Sequence, residues 1–282
     1  PGDPLRFISS DNEDGECERV VNEIIDMRLK RRCKYSDFAV LYRGNYQAKI
    51  IEIKLQSQSI PYEITGGQSF YAKTEIKDIM AYLRLIINPD DDNAMLRIIN
   101  TPRRQIGPTT LEKLGEYSNK RTLSLYDAID EVGLTATMPA NNLERLKRFK
   151  HWVQNINRNV YNGKPIEAIN EMLDDIEYLD WLKANASSDH VAHKRWDNVQ
   201  FLLKQLAQVL KNDETETDEE KGDTKIENAI SKLILRDLLD REKEESADDK
   251  VQLMTLHAAK GLEFLHVFMV GMEEDILPHK NS

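Results

Sequence analysis

The chain is predicted to be an α/β domain built on a parallel sheet and interrupted by an all-helical insertion. Three observations predict this. Strand-like and helix-like patterns alternate through the first third, the middle carries helical periodicity with almost no strand signal, and strand patterns return at the end.

The elements follow in order. Leu5-Arg6-Phe7-Ile8-Ser9 has the composition of a short strand. Residues 13–29 form an amphipathic helix, with Val20, Val21, Ile24, Ile25 and Leu29 at helical spacing. Phe38-Ala39-Val40-Leu41-Tyr42 is a continuous apolar run, which suits a parallel strand covered on both faces. A helix over residues 45–58 and a strand over 60–65 come next. Gly66-Gly67 then breaks the chain before a helix over 74–87.

Asn88-Pro89-Asp90-Asp91-Asp92 is a strong turn and marks the entrance to the helical region. Within that region Leu143, Leu146, Phe149, Trp152 and Val153 share one helical face, as do Phe201, Leu202, Leu206 and Leu210. Strands return at 251–257 and 266–271. The expected organisation is therefore 1–91 and 248–282 as one discontinuous α/β subdomain, with 92–247 as the insertion. The polar junctions at 90–92 and 247–250 predict hinges.

The chain has 282 residues, 40% of them hydrophobic, enough for one large core or two smaller ones. The formal charge of −10 argues against a nucleic-acid partner only until it is located. Residues 211–223 hold seven acids and two bases, and 240–249 hold six acids and two bases, so these two segments supply −9 of it. The remainder is close to neutral, and clusters such as Arg28-Leu29-Lys30-Arg31-Arg32 and Arg145-Leu146-Lys147-Arg148 are free to meet phosphate or to form ordinary solvated faces. No apolar run approaches the length of a membrane span, and Pro1-Gly2-Asp3-Pro4 does not resemble a signal peptide. Cys17 and Cys33 lack metal-like spacing, so reduced thiols and a cytoplasmic location are expected, with no metal site. With no initiator methionine, the chain is expected to be an internal piece of a longer protein.

Two segments carry chemistry. Thr255-Leu256-His257-Ala258-Ala259-Lys260-Gly261-Leu262-Glu263-Phe264 ends a strand at a turn bearing a hydroxyl, an imidazole, a lysine and a glycine. Such groups can meet a phosphate backbone, and a carboxylate such as Glu263 can accept from ribose hydroxyls. Tyr42-Arg43-Gly44-Asn45-Tyr46-Gln47 leaves the end of the first parallel strand, where α/β folds form ligand sites. Its guanidinium can fork onto a phosphate, and its aromatic ring could stack on a base.

These segments resemble motifs V and IV of the superfamily 1 helicases, in the form shared by Rep, UvrD and PcrA. Further stretches resemble the same family: Ile60-Pro61-Tyr62, Gly66-Gly67-Gln68-Ser69-Phe70, Glu75-Ile76-Lys77-Asp78, and Asn100-Thr101-Pro102-Arg103-Arg104-Gln105-Ile106-Gly107-Pro108-Thr109-Thr110-Leu111. The resemblance implies a RecA-like second motor subdomain with its helical insertion, from an enzyme that uses ATP and Mg²⁺ to move 3′ to 5′ along single-stranded DNA and to unwind duplex. It implies that Tyr42 packs on adenine, that Arg43 acts catalytically on the γ-phosphate, and that Glu263 binds the nucleotide sugar. Thr255 and His257, with Lys260, would lie along single-stranded DNA. Gly107, Thr109, Thr110 and Lys113 would meet duplex at a single-strand/double-strand junction.

The sequence departs from the family in mild ways. Ala48-Lys49 stands where serine and arginine are frequent, Ala259 where serine is, and Gln105 and Asp275 where glycines are. No Gly-x-x-x-x-Gly-Lys-Ser/Thr loop occurs in the chain. Gly163-Lys164 reads as a turn, and Leu173-Asp174-Asp175-Ile176 as a solvated helix face. The phosphate loop and the Mg²⁺ ligands are expected in the missing motor subdomain, and the chain alone is expected to hydrolyse no ATP. Self-association of the parent is a further expectation. Two rival readings are a helicase–nuclease subunit with the same motor and a non-catalytic protein-binding scaffold.

Overall fold

The computed structural model describes residues 4–214, 222–246, 249–274 and 276. They divide into two compact units, one of residues 1–73 with 235–282 and one of residues 74–234.

The first unit is the α/β part. Helix α1 (Glu13–Arg31) begins at Asn12, whose side chain accepts from the Gly15 N–H at 2.8 Å. Strand β1 (Phe38–Tyr42), helix α2 (Asn45–Ser57) and strand β2 (Tyr62–Thr65) follow. Strands β3 (Val251–Thr255) and β4 (His266–Met269) come from the far end of the chain. The sheet is all-parallel in the order β2-β3-β1-β4, with Tyr42 opposite Thr255 and Leu41 opposite Met269. This is the predicted α/β class. Cys17, Val20, Val21 and Ile24 of α1 join Ile51 and Leu55 of α2 in one core with Phe38, Val40, Leu253 and Val251.

Two polar anchors hold the returning chain in register. The Asp249 carboxylate accepts from the Ser36 N–H at 2.8 Å and from Arg28 at 3.2 Å, and Val251 N donates to Pro61 O at 3.0 Å. Burial raises the Asp249 pKa, but the Ser36 and Arg28 bonds outweigh it and leave the carboxyl below its usual value. A second carboxylate fixes the β2 side: Glu52, 2% exposed, accepts from Tyr62 Oη at 3.0 Å and from Phe70 N at 2.8 Å. The expected strand at 5–9 does not form. Leu5 and Phe7 are exposed, and the sheet's interior positions are already paired through β1 and β3.

The second unit is helical: α3 (Thr74–Ile87), α4 (Asp92–Ile98), α5 (Pro108–Arg121), α6 (Leu125–Ala128), α7 (Ala140–Tyr161), α8 (Pro165–Asp175), α9 (Tyr178–Ala184), α10 (Asp189–Glu214) and most of α11 (Gly222–Ser246). The predicted face of α7 is buried at Leu143, Leu146, Phe149 and Val153, and that of α10 at Leu202 and Leu206. Of the acidic run at 211–223, residues 215–221 lie outside the described residues, as do Asp275, Ala247 and Asp248.

The two compact units divide at 73/74 and 234/235. Helix α3 is buried nearly all round, at Ile76, Ile79, Met80, Leu83 and Ile86, and it packs against α4, α7 and α10. Its Asp78 accepts from Arg97 at 2.7 Å and from Tyr178 Oη at 3.1 Å, both in the helical unit. The turn expected to act as a hinge is therefore internal to that unit. Asp91 caps α4 through Ala94 N at 2.9 Å and accepts from Arg84 Nε at 2.8 Å, which fastens the turn at both ends.

Candidate functional site

Tyr42, Arg43 and Thr255 lie at the carboxyl ends of the parallel strands β1 and β3, whereas Glu263 lies on the link to β4, three residues before His266, which pairs with Phe38 at the amino end of β1. Tyr42 and Thr255 are register partners, and Leu256 N donates to Tyr42 O at 3.0 Å, so the exits of β1 and β3 lie side by side. Arg43 is half-buried, and its guanidinium has no hydrogen-bond or ion-pair partner among the described residues. Beyond Thr255 the chain turns tightly. Thr255 Oγ1 accepts from Ala258 N at 3.2 Å, Ala259 N donates to Thr255 O at 3.0 Å, and Leu262 N donates to Ala259 O at 3.0 Å. The threonine hydroxyl hydrogen remains available, and His257, Lys260, Gly261 and Glu263 are exposed on this turn. A hydroxyl, an imidazole and an ammonium on one exposed turn can contact a phosphate backbone.

Tyr42 does not have the exposure its expected role requires. Its ring is 0% exposed, in the same core cluster as Ala48, Ile51 and Tyr62, and its hydroxyl has no partner among the described residues. Strand alternation explains this: Phe38, Val40 and Tyr42 share the face covered by α1 and α2. Burial, and secondarily the Glu52 carboxylate, push its phenol pKa upward.

Gln47 was not singled out by the sequence. It is 8% exposed, and its Oε1 accepts from Arg43 N at 3.0 Å and from Gly44 N at 3.1 Å. Across from it Gly271 N donates to both Glu16 carboxylate oxygens, at 3.1 and 3.2 Å. Burial raises the Glu16 pKa, the Gly271 N–H lowers it, and Glu273 and Glu13 raise it again, with an upward net shift. The only signal in the sequence was a glutamine four residues after the arginine, and spacing alone does not say where its amide points.

The helical unit carries the second predicted group. Gly107 precedes α5, whose first helical residue is Pro108, and Gly107, Pro108 and Thr109 are exposed while Lys113 is half-buried. Thr110 is 4% exposed and its N–H already donates to Gly107 O at 3.0 Å, so the expected phosphate contact from Thr110 is not available. The preceding segment is held by Arg104. Its guanidinium donates to Ile98 O and Tyr82 Oη, each at 2.8 Å, and lies over the rings of Trp152 and Phe149 at 4.9 and 5.3 Å. Gln105 has φ +58°, in the left-handed region that favours glycine, and Arg145 of α7 donates to its carbonyl at 2.8 Å. That backbone angle accounts for the glycine frequent there in the family the sequence resembles.

The cysteines are both free. Cys17 is buried, and burial with the neighbouring carboxylates Glu16, Glu13 and Asp14 pushes its thiol up to about 12, so it stays protonated. Cys33 Sγ lies 3.4 Å from His266 Nε2. Among the described residues no cluster of three or more His, Cys, Asp or Glu could hold a metal ion, and no helix is long and apolar enough to cross a membrane. Asp174 and Asp175 are exposed, as a solvated helix face requires.

Comparison with known proteins bears on all of this. Residues 1–282 match the profile of the UvrD-like helicase C-terminal domain. The ATP-dependent DNA helicase Rep of Escherichia coli (strain K12) is 43% identical over 281 residues, covering 100% of this chain and 41% of that protein. Rep of Salmonella typhimurium is also 43% identical, with the same coverage. The ATP-dependent DNA helicase PcrA of Bacillus subtilis (strain 168) is 38% identical over 282 residues, covering 100% of this chain and 37% of that protein. The chain thus spans about two-fifths of the length of the relatives it matches.

Proposed function

The chain belongs to the family of UvrD-like helicase C-terminal domains, and on that premise we propose that its parent protein couples ATP hydrolysis to movement along single-stranded DNA and to duplex separation. Movement runs 3′ to 5′, and the substrate is a single-strand/double-strand junction. This chain supplies one wall of the ATP site and part of the DNA track. The phosphate loop and the Mg²⁺ ligands come from the other motor subdomain.

The observation that carries the reading is the Arg43 guanidinium, without a partner among the described residues, at the carboxyl end of β1, next to the end of β3 that bears Thr255. Open parallel sheets bind ligands at that edge. A fixed guanidinium there stabilises charge on a transferring phosphoryl group, a contribution that grows toward the transition state. Glu263 is exposed and free to accept from ribose hydroxyls. Thr255, His257 and Lys260 contact the single strand, so the residues for nucleotide and for DNA leave adjacent strands, and a shift of one is felt by the other. In the helical unit Gly107, Thr109 and Lys113 meet duplex phosphates, and Thr110 contributes only to packing. Mg²⁺, held by residues of the other motor subdomain, would supply neutralisation of phosphate charge beside that of Arg43.

The test is a side-by-side ATPase comparison of Arg43→Ala and His257→Ala in the full-length parent, with and without single-stranded DNA, after checking for equal thermal melting. Arg43→Ala should lower kcat by roughly 10³-fold while weakening ATP binding much less. His257→Ala should lower the ratio of the DNA-stimulated to the DNA-free rate. A near-normal kcat for Arg43→Ala, or the same defect in both variants, would sink this reading and favour a protein-binding scaffold.

A further inference from the structure

Arg43 can act on a phosphate only if its backbone is held, because a guanidinium at the end of a long side chain inherits every displacement of its own peptide. The strand ladder ends at Tyr42, so the turn beyond it depends on other bonds. Those bonds come from Gln47. Its single Oε1 accepts both successive N–H groups of the turn, Arg43 N at 3.0 Å and Gly44 N at 3.1 Å. The other end of the same amide is seated against a second strand exit. A Cβ built on Gly271 would fall 1.9 Å from Gln47 Nε2 and 3.2 Å from its Cδ. Gly271 also has φ +68°, a backbone conformation that disfavours any other residue. Its N–H is in turn held by both oxygens of Glu16 on α1. Val270 N donates to Leu41 O at 3.0 Å, so this exit is tied to β1 one residue before the glycine.

We infer that Gln47 is a positioning residue for Arg43, clamped between the exits of β1 and β4, and that Gly271 is required as glycine because the clamp occupies the space of a side chain. The inference rests on the phosphate-contacting role proposed for Arg43. The clamp means that the guanidinium's location is set by the β4 exit and α1 as well as by its own strand. Packing of the glutamine alone would not have this consequence; acceptance of the two N–H groups does.

The experiment separates the two. In the full-length parent, Gln47→Met preserves length and buried volume but cannot accept the Arg43 and Gly44 N–H groups well. It should lower kcat for DNA-stimulated ATP hydrolysis by about tenfold or more, in the range seen for displaced catalytic groups. The KM for ATP should change less than twofold. Gln47→Glu keeps an accepting oxygen and should recover most of the loss. In an Arg43→Ala background, Gln47→Met should have almost no further effect on kcat, since the group it positions is gone. If Gln47→Met lowers kcat equally with and without Arg43, the positioning inference is overturned while the role of Arg43 stands. If Arg43→Ala alone leaves kcat intact, the role of Arg43 fails first and the inference goes with it. Should Gln47→Met not fold, Gly271→Ala, which pushes the same amide from its opposite side, carries the same expectation of non-additivity.

Discussion

Two arginines on opposite sides of the unit division illustrate how differently this chain uses the same cation. Arg104, in the helical unit, is saturated by its own fold: carbonyls of Ile98 and Pro102, the Tyr82 hydroxyl, and the faces of Trp152 and Phe149 surround its guanidinium. Arg43, at the exit of β1, has its backbone held by Gln47 and its guanidinium left without a partner among the described residues. A planar fork that already donates to several oxygens has nothing left for a ligand, whereas an unpaired one on a fixed backbone is ready for a phosphate. The first builds a turn and the second offers a charge. In sequence both are simply arginines inside polar motifs, so the difference is invisible until donors and acceptors are paired in space.

The contrast can be broken most decisively by removing each arginine in turn. Arg43→Ala should remove roughly 10³-fold of kcat in the full-length parent and leave the melting temperature nearly unchanged, since its guanidinium makes no hydrogen bond or ion pair among the described residues. A drop of several degrees would show that Arg43 is structural after all. Arg104→Ala should do the reverse and lower unfolding stability by about 2–3 kcal/mol, the scale for hydrogen bonds to a charged group. Urea titration followed by tryptophan fluorescence would report it through Trp152. Arg104→Lys should restore less than half, because an ammonium cannot reproduce the fork. An unchanged urea midpoint for Arg104→Ala would dissolve the comparison.

Smaller effects sharpen it. Tyr42→Phe should raise stability by about 1 kcal/mol, because the buried hydroxyl it deletes has no partner here. A loss of stability, or a large change in ATP affinity, would mean that the hydroxyl or the ring serves the nucleotide in another arrangement of the strand end. Gln105→Gly should be neutral or stabilise by less than about 1 kcal/mol, relief of left-handed strain being offset by the greater freedom of glycine when unfolded. Chemical denaturation of the single variants decides both.

Much of the fold was legible in advance. The apolar run at 38–42, the amphipathic period of α1 and the period of α7 are local signals, read from residues a few positions apart. The site was legible in part. Arg43 and Thr255 lie at the ends of β1 and β3, His257 and Lys260 lie on the turn after Thr255, and Gly107, Thr109 and Lys113 lie at the start of α5. The burial of Tyr42 and Thr110 was not legible, because strand parity and helix packing, which turn both inward, are not visible in a motif. The short apolar stretch at 5–9 failed for the opposite reason, because a strand composition without a partner strand makes no strand.

The sequence by itself determined the element types, the helical interruption of an α/β chain and the family it belongs to, since periodicity, turn residues and motif identity are all carried by near neighbours. Only the tertiary structure decided which elements share a core, which side of β1 holds Tyr42, and what pins Arg43. Those outcomes depend on pairs such as Asp249 with Ser36, Gly271 with Glu16 and Asp78 with Tyr178. They lie 213, 255 and 100 residues apart, and their pairing is set by burial and hydrogen-bond satisfaction, which no local pattern encodes.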